Sequence, residues 1–66
     1  MTMLKIIDVL AESDKSWKDA AQSAVQEAGK SVRNIKSIYI KDFEATVDNA
    51  RVVKYRINAK ISFILE

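Results

Sequence analysis

Residues 52–66 read VVKYRINAKISFILE, and this stretch decides the fold. From Val53 to Phe63 every second residue is apolar or alanine, and the residues between them are charged or polar. A strict period of two predicts a half-buried antiparallel strand. The stretch exceeds the usual strand length of about five or six residues. It therefore needs partner strands along its whole length, because unpaired strand edges invite aggregation.

The size and composition of the chain predict a single domain, residues 1–66, that depends on copies of itself. A domain of about 60 residues buries only about 60% of its unfolded surface. The sequence has no Cys for a disulfide and no His or Cys for a structural zinc site, so oligomerisation is the remaining way to stabilise the fold. The net charge of +2, from 11 basic and 9 acidic residues, argues weakly against nucleic-acid binding.

Neither a signal peptide nor an apolar run of about 20 residues is recognised, so we expect a soluble cytoplasmic protein without a membrane partner. The sequence also lacks a catalytic constellation: it has no His, no Cys and no Gly-rich phosphate loop. We therefore predict that the protein is not an enzyme.

The segments before residue 52 can supply the partner strands and a helical cover. Residues 4–10 are short, apolar and β-branched, which predicts a first strand. Ser16 to Asp19 has the form of a capping box, with Ser13 as an alternative cap. A helical apolar stripe follows, made of Trp17, Ala20, Ala21, Ala24, Val25 and Ala28. Residues 35–47 predict a second long strand, and residues 48–50 predict its turn.

This order predicts an α+β fold, β-α-β-β, with a three-stranded antiparallel sheet and one helix packed on one face. The third strand lies between the other two, and the first two strands run parallel to each other. The helix is expected to cover Ile7, Val9, Ile38, Ile40, Tyr55, Ile57, Ala59, Ile61 and Phe63. The opposite face is expected to carry Ile6, Asp8, Leu10, Ser37, Tyr39, Lys41, Phe43, Lys54, Arg56, Asn58, Lys60 and Ser62. That mixture suits a self-association surface that also lines a cavity.

The sequence resembles the dodecin family over nearly its whole length. The matching features are Lys5-Ile6-Ile7, Ser13, Ser16-Trp17 with Ala20-Ala21, the Ala-rich helix, Val32-Arg33-Asn34-Ile35, Asp42, Tyr55 and Ile61-Ser62-Phe63. No single one of these motifs is diagnostic, and the resemblance depends on their order and gapless spacing taken together. It implies a hollow, spherical homododecamer with the helices outside and the sheets inside. It also implies storage or sequestration of a flavin such as riboflavin or FMN, held in pairs between protomers.

The expected flavin-site residues are Ser37, Tyr39, Asp42 and Arg56, and two of them depart from the family pattern. Ser37 stands where flavin-binding dodecins carry the Trp that stacks on the isoalloxazine ring. Arg56 stands where they carry a Gln, whereas Asp42 matches. Loss of a stacking platform removes on the order of 1 kcal/mol or more per aromatic pair. Tyr39, two residues on, replaces that platform only if the pocket shifts.

The alternative is an ion-binding or purely structural dodecamer, because some dodecin-like proteins without the Trp are associated with calcium. Asp8 is the candidate metal ligand, helped by symmetry copies or by Glu12 and Asp14, and an interprotomer salt bridge is its competing role. Arg56 is expected either to pair with Asp42 or Glu44 of a neighbour or to bind an anionic ligand. The basic residues of the face that the helix leaves uncovered are expected to balance charge within the assembly or to attract phosphate: Lys36, Lys41, Lys54 and Lys60. Trp17 is expected to anchor the core or an interface.

Overall fold

The computed structural model describes residues 1–65 and confirms the predicted order of elements. Strand β1 spans Leu4–Ser13, helix α1 spans Trp17–Ala28, strand β2 spans Ile35–Asp48, and strand β3 spans Arg51–Ile64. Strand β1 is longer than the predicted residues 4–10, because its polar end continues to pair with β3 as far as Ser13. No helix in the described part of the chain is long and apolar enough to cross a membrane.

Strand β3 is the centre of the sheet, whose strand order is β1-β3-β2. The register with β1 runs from Leu4↔Ile64 to Ser13↔Tyr55, and both neighbours of β3 are antiparallel to it. Strands β1 and β2 are therefore parallel to each other, as predicted. Among the strands of residues 1–65, the long alternating segment is the one with a partner on both sides, which explains why its apolar residues form the core.

The core lies between β3 and the alanine stripe of the helix. Ile57, Ala59, Ile61 and Ala20 have no exposed surface. Val9, Ile38 and Ile40 pack around this centre. Burial of each isoleucine side chain stabilises the fold by about 1.5–3 kcal/mol. Alanine has almost no side chain, so the helix backbone can lie close to the sheet.

Ser16 is the N-cap of helix α1, and its Oγ accepts a hydrogen bond from the Asp19 backbone N–H at 2.9 Å. Only this half of the predicted capping box forms, because the Asp19 carboxylate accepts a hydrogen bond from the Ser13 hydroxyl at 2.6 Å. Ser13 is not the cap. Its buried hydroxyl also accepts the Lys15 backbone N–H at 2.9 Å, and so it joins the end of β1 to the start of the helix.

The turn between β2 and β3 contains two left-handed residues, Asn49 with φ 53° and Ala50 with φ 61°. Turns of this kind match the right-handed twist of a hairpin. The predicted turn at residues 48–50 is thus confirmed in place. Asn tolerates the left-handed region more readily than Ala does, so Ala50 adopts it at some cost in energy.

The prediction for Phe43 is wrong, because β2 contains register shifts that the alternation does not show. One shift lies between Ile40 and Asp42, so that Asp42 pairs with Asn58 and Phe43 pairs with Ile57. A bulge of this kind inserts one extra residue and moves the following side chains to the other face. Phe43 therefore shares the helix-covered face with Ile57, and its ring lies 5.9 Å from that of Trp17.

Candidate functional site

The candidate site is the face of the sheet that the helix leaves uncovered, called the open face below. The structure places the five candidate residues Asp8, Ser37, Tyr39, Asp42 and Arg56 on this face, in successive cross-strand rows. Each row takes one residue from each strand, because side chains of paired residues in an antiparallel sheet project from the same face. The sheet register thus brings together residues that are far apart in sequence.

The first row contains Ser37, one of the residues expected from the sequence to face a flat ligand. Ser37 pairs with Ser62, and their hydroxyl oxygens are hydrogen-bonded to each other. Ile6, which is 56% exposed, stands on the other side of Ser62. The row therefore offers two mutually bonded small polar groups and an aliphatic side chain, with no aromatic ring to stack on a flat ligand.

The second row contains an ion pair and a tyrosine. The Lys60 ammonium lies 3.1 Å from the Asp8 carboxylate, and Tyr39 flanks Lys60 on its other side. The Asp8 salt bridge thus forms inside one protomer, whereas the sequence suggested one between protomers. Tyr39 is 65% exposed, so its ring is free to contact a ligand or another copy.

The third row contains Asp42, the site carboxylate with the weakest partner. The Asp42 carboxylate accepts a hydrogen bond from the Asn58 amide at 3.5 Å, and no salt bridge involves it among residues 1–65. Leu10, 71% exposed, completes the row. A shallow recess of about 620 Å³ opens here, lined by Asp8, Val9, Leu10, Lys41, Asn58 and Lys60.

The fourth row places Arg56 between two carboxylates of its own chain. Its Nε and Nη2 atoms donate to one Glu12 oxygen at 2.9 and 2.7 Å, and Nη1 donates to Glu44 at 3.3 Å. The hydrogen bond and charge of Arg56 lower the pKa of Glu12, and Glu12 and Glu44 together raise the pKa of Arg56. The pairing with Glu44 is therefore internal to the protomer.

The sequence alone did not identify Glu12 as the main partner of Arg56. The signal that would have found it is the pairing of β1 with β3, because extending the register of the two alternating segments sets Glu12 opposite Arg56. The predicted first strand ended two residues too early for that pairing. The single positive charge of Arg56 already contacts two carboxylates, which leaves it less available for an anionic ligand than the sequence suggested.

The open face of a single protomer does not form a complete metal site. Within the described residues there is no group of three or more His, Cys, Asp or Glu side chains that could hold an ion. Calcium requires about six to eight oxygen ligands. Asp8, Asp42 and the Asn58 side-chain carbonyl are oxygen ligands of the right chemical class, but they are too few without further copies of the chain.

Comparison with known proteins finds relatives that are all described as dodecins. A family profile described as Dodecin matches residues 3–66. Calcium dodecin of Mycobacterium tuberculosis is 38% identical over 63 residues, which cover 96% of this chain and 89% of that protein. A crystal structure of the Mycobacterium tuberculosis calcium dodecin, described as calcium chelating and as having a novel calcium-binding site, has a TM-score of 0.83 at 36% identity and covers 97% of this chain and 91% of its own.

A second solved structure extends the similarity of the fold. The R45A variant of the Thermus thermophilus dodecin has a TM-score of 0.93 and covers 100% of this chain and 98% of its own. Its sequence identity to this chain is 24%, so it supports the fold and nothing further.

Proposed function

This chain belongs to the dodecin family, and from that premise we propose that it forms a hollow homododecamer that sequesters a small ligand, with Ca²⁺ as the preferred ligand. The helix covers one face of the sheet, and the open face carries exposed apolar residues beside carboxylates. In the assembly the open faces line the chamber, and symmetry copies bring their carboxylates together. The proposal includes no catalytic reaction, and the cytoplasmic location stays a prediction.

The observation that carries the preference for calcium is the chemistry of the open face. Ser37 and Ser62 are bonded to each other where a flavin would need a flat ring, so the platform for stacking is missing. Asp42 has only a long contact with an amide, and it therefore keeps most of its capacity to bind a cation. The calcium named in the relatives from Mycobacterium tuberculosis supports the same choice.

Asp42 and Asp8 are the residues that would hold the ion, with the side-chain carbonyl of Asn58 beside them. Asp8 would have to exchange its contact with Lys60 for the metal. Both side chains of that pair are largely in contact with solvent, at 72% and 41% exposed. An ion pair this exposed contributes only about 0–1 kcal/mol. Binding of a divalent cation by several copies can offset a loss of that size.

A flavin is the second candidate, and the exposed ring of Tyr39 is the observation that favours it. Tyr39 lies one row from Ser37 on the same face, with Lys60 beside it. A flavin that stacked on Tyr39 would sit one row away from the family position. Arg56 and Asp42 would then meet its polar edge.

The experiment combines sizing with two ligand titrations. Light scattering gives the mass of the assembly, and Ca²⁺, Mg²⁺ and riboflavin are then added in turn while thermal unfolding and flavin fluorescence are followed. Free Ca²⁺ at 100 times its dissociation constant should stabilise the protein by about 2.7 kcal/mol per site. Mg²⁺ should do less, because it keeps several of its waters.

Matched variants identify the ligands. Asp42→Asn should reduce the stabilisation by Ca²⁺, and Asp8→Asn should do the same. The control is Asp48→Asn, which makes the same change of charge in the hairpin turn. If riboflavin fluorescence is quenched and Ca²⁺ does not stabilise the protein, the proposed ligand is wrong, and a flavin takes the place of calcium in the proposal. A monomer under all conditions would contradict the assembly itself.

A further inference from the structure

The shallow recess of the open face, called the open-face recess below, carries no net charge. The ammonium groups of Lys41 and Lys60 and the Asp8 carboxylate line it, and the Asp42 carboxylate meets its rim through Asn58. Its positive and negative charges therefore balance. A set of groups without an acidic excess is a weak calcium site, because the affinity of such a site depends on the number of its charged ligands.

The two lysines of the open-face recess differ in their partners. The Lys60 ammonium lies 3.1 Å from the Asp8 carboxylate, whereas no salt bridge involves Lys41 within residues 1–65. Lys41 is the extra residue at the register shift of β2, where it has no cross-strand partner. A bulge re-aims the side chain of such a residue, and Lys41 lines the recess. The recess thus contains one ammonium group without a carboxylate from its own chain.

Binding of Ca²⁺ at the proposed carboxylates changes the charge balance of the open-face recess. The ion takes Asp8 from Lys60 and adds two positive charges, so that both lysines are left without a carboxylate. Each copy of the chain brings the same balanced set of groups, so this excess remains whatever the number of copies that share one ion. The unbalanced charge opposes binding, because the ion and the ammonium groups repel one another.

A phosphate-type anion corrects both the excess of charge and the shortage of oxygen ligands. Calcium takes about six to eight oxygen ligands, and the oxygens of a phosphate group are of the hard type that it prefers. A phosphate monoester carries a charge of about −1.5 to −2 at pH 7, which matches the charge that the ion adds. Ammonium groups bind phosphate through charge-assisted hydrogen bonds, so Lys41 and Lys60 regain an anionic partner.

We infer that the open-face recess takes up Ca²⁺ together with a phosphate-type anion, so that each ion raises the affinity for the other. Asp8 and Asp42 hold the cation, and Lys41 and Lys60 hold the anion. The coupling is reciprocal, because a change in affinity between two sites acts equally in both directions. The inference rests on the proposed binding of calcium and names the second component of the stored ligand.

Calorimetric titration of the assembled protein with Ca²⁺ tests the coupling. The titration is made at neutral pH without phosphate, then with inorganic phosphate, and then with β-glycerophosphate, always below the concentration at which calcium phosphate precipitates. An ion-selective electrode gives the free Ca²⁺. We expect the dissociation constant for Ca²⁺ to fall about tenfold when the anion is present. Equilibrium dialysis of radiolabelled phosphate, with and without Ca²⁺, should show the same factor.

Substitution of the lysines tests which residues hold the anion. Lys60→Met should raise the affinity for Ca²⁺ in the absence of phosphate, because Asp8 no longer has an ammonium group to exchange, and it should remove most of the enhancement by phosphate. A purely structural role of Lys60 would instead lower the affinity under both conditions. Lys41→Met should also reduce the enhancement. Lys18→Met, which makes the same change of charge on the exposed side of α1, is the control and should keep it.

The outcomes separate this inference from the proposed function. Binding of Ca²⁺ with the same affinity in the presence and absence of both anions would overturn the coupling but leave calcium as the ligand. Full enhancement in both Lys60→Met and Lys41→Met would also overturn the inference, because the anion would then lie elsewhere. Enhancement by both anions supports a site for phosphate monoesters, and enhancement by inorganic phosphate alone supports a site for the free ion. No binding of Ca²⁺ under any condition would remove the proposed function as well.

Discussion

Replacement of Trp17 by leucine tests the contacts that hold the start of the helix to the hairpin. The indole ring meets Tyr55 at 4.9 Å and Phe43 at 5.9 Å in edge-to-face geometry, and its N–H donates to the Glu44 carbonyl at 2.9 Å. Each aromatic pair contributes about 0.5–1.5 kcal/mol beyond burial. A hydrogen bond contributes about the same. Since Trp17 is 36% exposed, we take the lower half of these ranges and expect Trp17→Leu to lower the free energy of unfolding by about 2 kcal/mol.

The part of that loss that belongs to the Tyr55 contact can be isolated in a double-mutant cycle. Trp17→Leu and Tyr55→Leu, alone and combined, are unfolded in urea at one fixed protomer concentration, because assembly also contributes to stability. Far-UV circular dichroism reports the transition. We expect a coupling energy of about 0.5–1.5 kcal/mol. Leu4→Ala, at the other end of β1, is the control and should be additive with Trp17→Leu. Additivity within about 0.3 kcal/mol for the Trp17–Tyr55 pair would refute the contact.

The remaining predictions concern charge, the turn and the ligand. Because Arg56 holds the pKa of Glu12 below its usual value of 4.5, that carboxylate stabilises the fold at neutral pH, and its contribution is lost as the pH falls from about 4.5 through the lower folded value. In the Glu12→Gln variant, the urea concentration at the unfolding midpoint should therefore fall less steeply as the pH is lowered below about 4.5. The same steepness as in the unsubstituted protein would contradict this. Ala50→Gly should raise stability by about 1 kcal/mol, since glycine adopts the left-handed region freely, whereas Ala45→Gly within β2 should lower it; thermal unfolding measures both, and a loss at position 50 would be the contrary result. Ser37→Trp combined with Arg56→Gln should produce or strengthen quenching of riboflavin fluorescence, and no change would show that the open face excludes flavins for another reason.

The strands and their order could be predicted from the sequence because the alternation of β3 determines most of the fold. Its apolar positions predicted the buried face, and Ile57, Ala59 and Ile61 are indeed fully buried. The helix could be placed because Ser16 and the alanine stripe act through local geometry. These features depend on residues that are close in sequence, where period and capping chemistry are directly visible.

The errors arose where a contact depends on register. The extra residue at the Ile40/Asp42 shift leaves no clear mark in the sequence, and it moved Phe43 to the helix side. Arg56 could not be paired with Glu12 without the alignment of two distant strands. Asp19 was expected to complete a capping box, but the Ser13 hydroxyl competes for its carboxylate.

The central position of β3 has a consequence for the order in which the protein can fold. Strands β1 and β2 are made first, yet neither has a neighbour in the sheet until Arg51–Ile64 has been synthesised. Pairs such as Leu4↔Ile64 join positions that are distant along the chain. Pairing over such distances is slow, because the loop must close before the contacts form. Sheet formation must therefore wait until translation has passed β3, and the earlier strands remain open to chaperones, or to other nascent chains, in the interval.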